Sequence, residues 1–490
     1  MPGLVDAHVH PVLGGMEKVT QCLFPSTAGP DEIKVKMAQC IAEKPSQKWL
    51  VGGRWASTFF SDYDIESPVA WLDQAAKGRA VSLADDTGHN RWVNSRAMEL
   101  AGIDSASSIT GGEVVLDAAG EPSGLLREAA IWPVMQVIER DMRPTTADYL
   151  AAARQSFDTA SRYGITGVKE AGDADQGIIA YKTLDDNNAL NLHLGACIAV
   201  QFNSDGSPDL QRVARLRKEN RGRNFQVNCA KLFLDGVPSQ ARTAAMIDPY
   251  LPEQEGGESH NGKLLIPPAR LNRVVAQLDG MGLTVKAHVA GDRAVRVFLD
   301  AIEYAREVNG NSGLRHELGH SGFINKADIQ RIVALDAVAD MSPSIWYPAP
   351  VTDSIIVALG NRGKHYWPFR DLLEAGVNVI VGSDWPAVVS DMNPWTGLEA
   401  MVTRRHPLAS YPGTLWPEQA ISLADAIRIN TLNGAKALGL ESVTGSLEVG
   451  KYADIIVLSH NLFDITPEQI SDTNIEMTLF KGAVVYRKAQ

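Results

Sequence analysis

The sequence predicts a (β/α)8 TIM barrel with a long insertion after its first strand and a small β-subdomain built from its last strands. Three observations carry that prediction. Apolar strands alternate with helical patterns over most of the 490 residues. No Gly-x-Gly-x-x-Gly turn follows the first strand, which disfavours a dinucleotide-binding open sheet. The side chains suited to chemistry fall at the C-terminal ends of several different strands, where barrel active sites are assembled.

The chain opens with a short strand, Leu4-Val5-Asp6-Ala7-His8-Val9-His10, stopped by Pro11. Residues from about 49 to 132 are rich in Gly, Trp, Asp and Ser and read as an excursion that covers or shapes a site. Further strands are predicted at 167–170, 227–234, 283–288, 338–341 and 377–381. Helices are predicted at 147–163, 268–280, 294–308 and 326–335. The barrel domain is thus expected over 1–440. A turn-rich stretch, Gly445 to Lys451, then opens a β-subdomain over 441–490, with strands at 454–458, 477–479 and 483–487.

Composition narrows the function classes. The net charge of −12 argues against a nucleic-acid partner, which would select a basic face. No apolar run approaches the length of a membrane helix, and no secretory signal opens the chain. Four scattered cysteines, Cys22, Cys40, Cys197 and Cys229, form no CxxC pair and read as reduced, buried thiols of a cytoplasmic protein. A homo-oligomer is compatible with a barrel, but nothing in the sequence marks an interface.

Candidate chemistry begins at His8 and His10. Residues two apart on a strand share a face, so both imidazoles can reach one metal ion; they can equally cap a strand end. His288 and His320 also close predicted strands, and neutral imidazole is the commonest metal ligand. Asp384 follows an apolar run, where a buried carboxylate needs a cation or hydrogen-bond donors. It suits a metal-bound general base, or an Asp that caps the next turn. Lys231 lies inside the strand Val227 to Leu234, where an unpaired ammonium is costly. It is either salt-bridged or a neutral amine able to take up carbon dioxide as a carbamate.

These segments together resemble the amidohydrolase superfamily, in particular amidohydrolase family 3, the YtcJ-like branch. Pro2 through Pro11 is similar to the superfamily's first-strand signature, and Gly88-His89-Asn90-Arg91-Trp92-Val93-Asn94-Ser95 to the branch's insertion. Lys231 through Gly236 with Arg242-Thr243-Ala244, Ala287 through Ala294, Gly382-Ser383-Asp384 and Gly445 through Asp454 complete the resemblance. It implies His8, His10, Lys231 (carboxylated), His288, His320 and Asp384 as metal ligands. Zinc is the implied ion, two with the carbamate and one without it. His89, Trp92, Trp55 and Arg242 are the implied substrate contacts, although insertion aromatics also suit a local core.

Two departures stand out. Leu318-Gly319-His320 replaces an Ile-Glu-His run, leaving His316 as the alternative ligand; the distance to the next helix favours His320. The chain also starts at the first barrel strand, so the N-terminal half of the usual β-sandwich is expected to be missing. The C-terminal strands would then expose an edge and the chain would be less stable. The expected activity is metal-dependent hydrolysis of a small amide, N-substituted formamide or carbamate-like compound, with Asp384 as base and acid. The alternatives are a mononuclear deaminase of a cyclic amidine or nucleobase, with Asp292 as its acidic residue, and a non-catalytic binding protein on a decayed barrel.

Overall fold

Eight parallel strands in sequential order build a (β/α)8 barrel. They are β1 (Leu4–Val9), β2 (Ile165–Glu170), β3 (His193–Ala199), β4 (Phe225–Phe233), β5 (Thr284–His288), β6 (Glu317–Gly319), β7 (Val338–Met341) and β8 (Asn378–Val381). Just past β8 the Asp384 amide donates to the His8 carbonyl at 2.7 Å, bringing the last strand end onto the first. Gly382 is required at this closure, because a Cβ there would lie 2.3 Å from the His8 backbone nitrogen. The computed structural model describes residues 1–489 other than 26, 57, 58, 86–89, 110, 111, 174, 240, 253–255, 346, 409 and 410.

Buried apolar positions seat the helices. Helix Asp292–Asn309 buries Val295, Phe298, Leu299, Ile302 and Ala305, the spacing of one helical face. Asn325 starts helix Lys326–Ala334 by accepting the Ala327 amide. No helix among the described residues is long and apolar enough to cross a membrane.

The inside of the barrel is not uniformly apolar. Lys231 on β4 is in register with Lys286 on β5, and Lys286 with Glu317 on β6. Lys169 on β2 pairs with Glu317, and Asp340 on β7 with Lys286; all five side chains are almost wholly buried.

Residues Gly15–Gln155 form a separate compact unit. It holds a six-stranded mixed sheet in the order Cys22–Leu23, Trp49–Trp55, Ala80–Asp85, Asn90–Val93, Pro122–Glu128 and Gly112–Leu116. The excursion thus begins well before position 49, since its first strand and the helix Pro30–Glu43 lie upstream. The C-terminal region forms an antiparallel sheet of Ile455–Leu458, Ile475–Phe480 and Ala483–Arg487. The far side of its first strand is not bare: Ile456 exchanges two backbone hydrogen bonds with Met1. Asp454 seats this region against β3, accepting from Thr444 Oγ1 at 2.5 Å and lying 2.8 Å from His193 Nε2.

The expectation of four free thiols is corrected. Cys22 is bonded to Cys40 and Cys197 to Cys229. Cys197 and Cys229 are register partners on β3 and β4, and Cys22 faces the helix that carries Cys40. Their separations of 18 and 32 residues gave no local motif, because the fold rather than the spacing brings them together. The argument for a cytoplasmic location from reduced cysteines falls with it.

Candidate metal centre

His8 near the end of β1 and His10 just after it both approach Asp384, just beyond β8. His8 Nε2 and His10 Nε2 each lie 3.5 Å from Asp384 Oδ1. His320, immediately after β6, places Nδ1 3.8 Å from Asp384 Oδ2. Its ring packs between those of His8 and His288, with centroid separations of 4.7 and 4.4 Å. His288 closes β5; its Nε2 faces the Gly236 carbonyl at 2.9 Å, so Nδ1 is its open donor atom. Lys231 Nζ sits 3.1 Å from His8 Nε2.

Backbone strain marks the centre. His320 and Asp384 have φ of 70° and 56°, a left-handed conformation that costs a non-glycine residue about 1–2 kcal/mol. Asp6 stabilises the turn that carries Asp384, accepting from Ser383 N at 3.0 Å and Ser383 Oγ at 2.7 Å.

Electrostatics suits a cation. Burial, then the nearby Lys231, holds the His8 imidazole well below its usual pKa and His288 at about 4. Burial and the neighbouring His288 lower His320 likewise. All three rings are therefore neutral near pH 7 and keep a lone pair for a metal. Burial would raise the Asp384 carboxyl, but the hydrogen bond from His10 and the nearby Lys231 ammonium work against it and its pKa is lowered, so the carboxylate is ionised. Burial, then Lys286, brings the Lys231 ammonium down to about 8.

The donor atoms of His8, His10 and Asp384 lie within 4.8 Å of one another. In a tetrahedral zinc site with bonds of 2.0–2.1 Å, ligand atoms stand roughly 3.3 Å apart. The contacts of 3.5 Å between Asp384 and the two histidines already have that spacing. The residues present therefore fit a divalent ion.

His316 is turned away, with Nε2 3.1 Å from Asp279 and Nδ1 accepting the Val285 amide; His320 is the one beside the centre. Trp92 and Trp55 belong to the core of the Gly15–Gln155 unit, where Trp92 packs against Phe59, Phe60 and Trp71. Trp92 exposes no surface and packs in that core. His89 lies outside the described residues. Arg242 is buried in the loop after β4, its Nε donating to the Leu251 carbonyl at 3.2 Å.

Sequence reasoning missed Glu170, Asp173, Lys286 and Asp340. Glu170 and Asp173 form a second cluster with His10, also within 4.8 Å. A neutral imidazole has one lone pair, so His10 could serve only one of the two clusters as a ligand. The sequence signal for Lys286 and Asp340 was the one used for Lys231, a charge inside an apolar strand.

A match to the amidohydrolase family spans residues 1–486. The chain is 26% identical over 496 residues to the putative amidohydrolase YtcJ of Bacillus subtilis, covering 100% of this chain and 89% of that one. It is 25% identical to the N-substituted formamide deformylase of Arthrobacter pascens, covering 100% of this chain and 88% of that one. A solved structure from Pyrococcus horikoshii, an uncharacterized metal-dependent hydrolase, shares the fold with a TM-score of 0.71 at 20% identity, over 95% of this chain and 87% of that one. This chain belongs to the amidohydrolase family and is a hydrolase of carbon–nitrogen bonds.

Proposed function

We propose that this centre hydrolyses the C–N bond of a small amide, with N-substituted formamides and carbamate-like compounds as the substrate class. The observation that carries the reading is the convergence of His8, His10 and Asp384 from the ends of β1 and β8. The Arthrobacter pascens relative supports formamides as the first class to screen. A divalent ion in this cradle, zinc first, would supply Lewis acidity toward the carbonyl and lower the pKa of water. His8, His10, His288, His320 and Asp384 would hold it.

Lys231, as a carbamate, would add the oxygens needed for a second ion. Its low pKa favours that chemistry, since only the neutral amine adds to carbon dioxide. Asp384 accepts a proton from the attacking water and delivers it to the departing nitrogen. For the deaminase reading, Asp292 accepts the Ile247 amide at 2.8 Å through Oδ1 at the start of its helix.

The test is Asp384→Asn. The variant should fold with an unchanged circular dichroism spectrum and lose about 10²–10⁴-fold in turnover of N-substituted formamides and amides. Turnover within about tenfold of the native chain would overturn the role of Asp384. Stoichiometric metal without turnover of any amide, carbamate or amidine would instead support a binding protein.

A further inference from the structure

Both ring nitrogens of His8 are engaged. Nδ1 lies 2.6 Å from Asp340 Oδ2, while Nε2 faces Lys231 Nζ at 3.1 Å and Asp384 Oδ1 at 3.5 Å. Neither His8 nor Asp340 exposes any surface. A carboxylate oxygen only accepts, so the short contact requires the ring proton on Nδ1. The lone pair then sits on Nε2, aimed at the centre.

Asp340 is itself held in place. Lys286 Nζ donates to the same Oδ2 at 2.5 Å and to the Ala7 carbonyl at 2.9 Å, and it meets Glu317 Oε2 at 3.0 Å. Glu317 in turn pairs with Lys169, which also donates to the Ala437 carbonyl at 3.0 Å. One lysine thus fixes the residue before His8 on β1 and the carboxylate behind its ring on β7. Asp340 Oδ2 makes both bonds, and Oδ1 has no hydrogen-bond partner among the described residues. This carboxylate turns Oδ2 toward the ring.

We infer that Asp340 is a positioning residue, fixing the His8 tautomer that presents Nε2 to a divalent cation, with Lys286 holding Asp340 in register. This rests on the reading of His8 as a metal ligand. Outer carboxylates of this kind set ring orientation, and their loss typically costs 10–100-fold in metal affinity. Asp173 stands in a similar position behind His10, but at 4.0 Å from Nδ1 it is beyond hydrogen-bond reach.

The test uses full-length, metal-free protein carrying ¹⁵N-labelled histidine, with the His8 signals assigned by their loss in His8→Gln. The native spectrum should show His8 protonated on Nδ1. In Asp340→Ala the ring should move to protonation on Nε2, and zinc affinity should fall about 10–100-fold. Asp340→Asn can place its amide oxygen where Oδ2 stands, accepting from both His8 and Lys286, so it should keep zinc affinity within about threefold. A merely structural Asp340 would shift the melting temperature without moving the tautomer. The inference is overturned by an Nε2-protonated His8 in the native protein, a result that needs no variant to fold. It is equally overturned by a folded Asp340→Ala with the native tautomer and zinc affinity within about twofold. Zinc binding with the expected tautomer but no turnover would uphold this inference and sink the hydrolase reading alone.

Discussion

Replacing Lys231 with methionine should stabilise the metal-free protein. The Lys231 side chain is 1% exposed, and burial together with Lys286 brings its pKa from 10.5 to about 8. At about 1.4 kcal/mol per pKa unit, the buried ammonium costs about 3 kcal/mol at pH 7 relative to the unfolded chain. Methionine fills nearly the same unbranched volume without the charge, so Lys231→Met should be more stable by about that amount. The sign reverses nothing at high pH but removes the difference. Between pH 8 and 10.5 the unfolded chain holds the Lys231 proton and the folded chain does not, so native stability rises with pH across this window. The two proteins should converge near its upper end. Urea unfolding at several pH values, in chelator and carbon-dioxide-free buffer, reads both effects. A variant less stable than the native chain at pH 7, or a gap that stays constant with pH, would refute the desolvated amine. The case for a carbamate at this position would then lose its physical basis.

Two further substitutions separate closure of the barrel from packing of the insertion. Gly382→Ala sets a Cβ 2.3–2.6 Å from the His8 backbone, atoms that cannot rotate aside. It should cost about 3 kcal/mol or more in urea unfolding and weaken zinc binding with it; native zinc affinity would show that β1 and β8 tolerate separation. Trp92→Ala removes a fully buried indole from the core of the Gly15–Gln155 unit and should cost about 3–5 kcal/mol. A cost below about 1 kcal/mol, measured by the same unfolding assay, would mark Trp92 as a pocket-lining residue after all.

Most barrel strands were legible because β-branched and large aliphatic residues make continuous buried runs, as in Val379 to Val381. His193–Ala199 was not, since Gly195, Ala196 and Cys197 carry little strand signal; its place follows from pairing with β2 and β4. The polar residues at strand ends, His8, His10, His288, His320 and Asp384, stood out because each interrupts an apolar context. Lys286 and Asp340 interrupt one too, but their meaning depends on which strands lie side by side, and register between distant strands leaves no mark in a single sequence. The tryptophans show the opposite limit. Trp55 and Trp92 have the composition of a pocket, and only the six-stranded sheet reveals them as interior.

The charged layer inside the barrel bears on why the chain keeps such residues at all. Lys169, Lys286, Glu317 and Asp340 are each at most 1% exposed. Buried ion pairs are poor stabilisers, because the cost of desolvating each charge rivals the attraction regained, and apolar replacements of similar volume often do as well. Stability alone therefore gives no reason to put two lysines and two acids where aliphatic side chains normally fill a barrel. Position does. The layer runs from Lys169 on β2 through Glu317 and Lys286 to Asp340, and it ends on His8 Nδ1. An apolar layer would leave that nitrogen without an acceptor and the ring free to take either tautomer. The network converts an expensive set of buried charges into one defined orientation of the imidazole on which the centre is built.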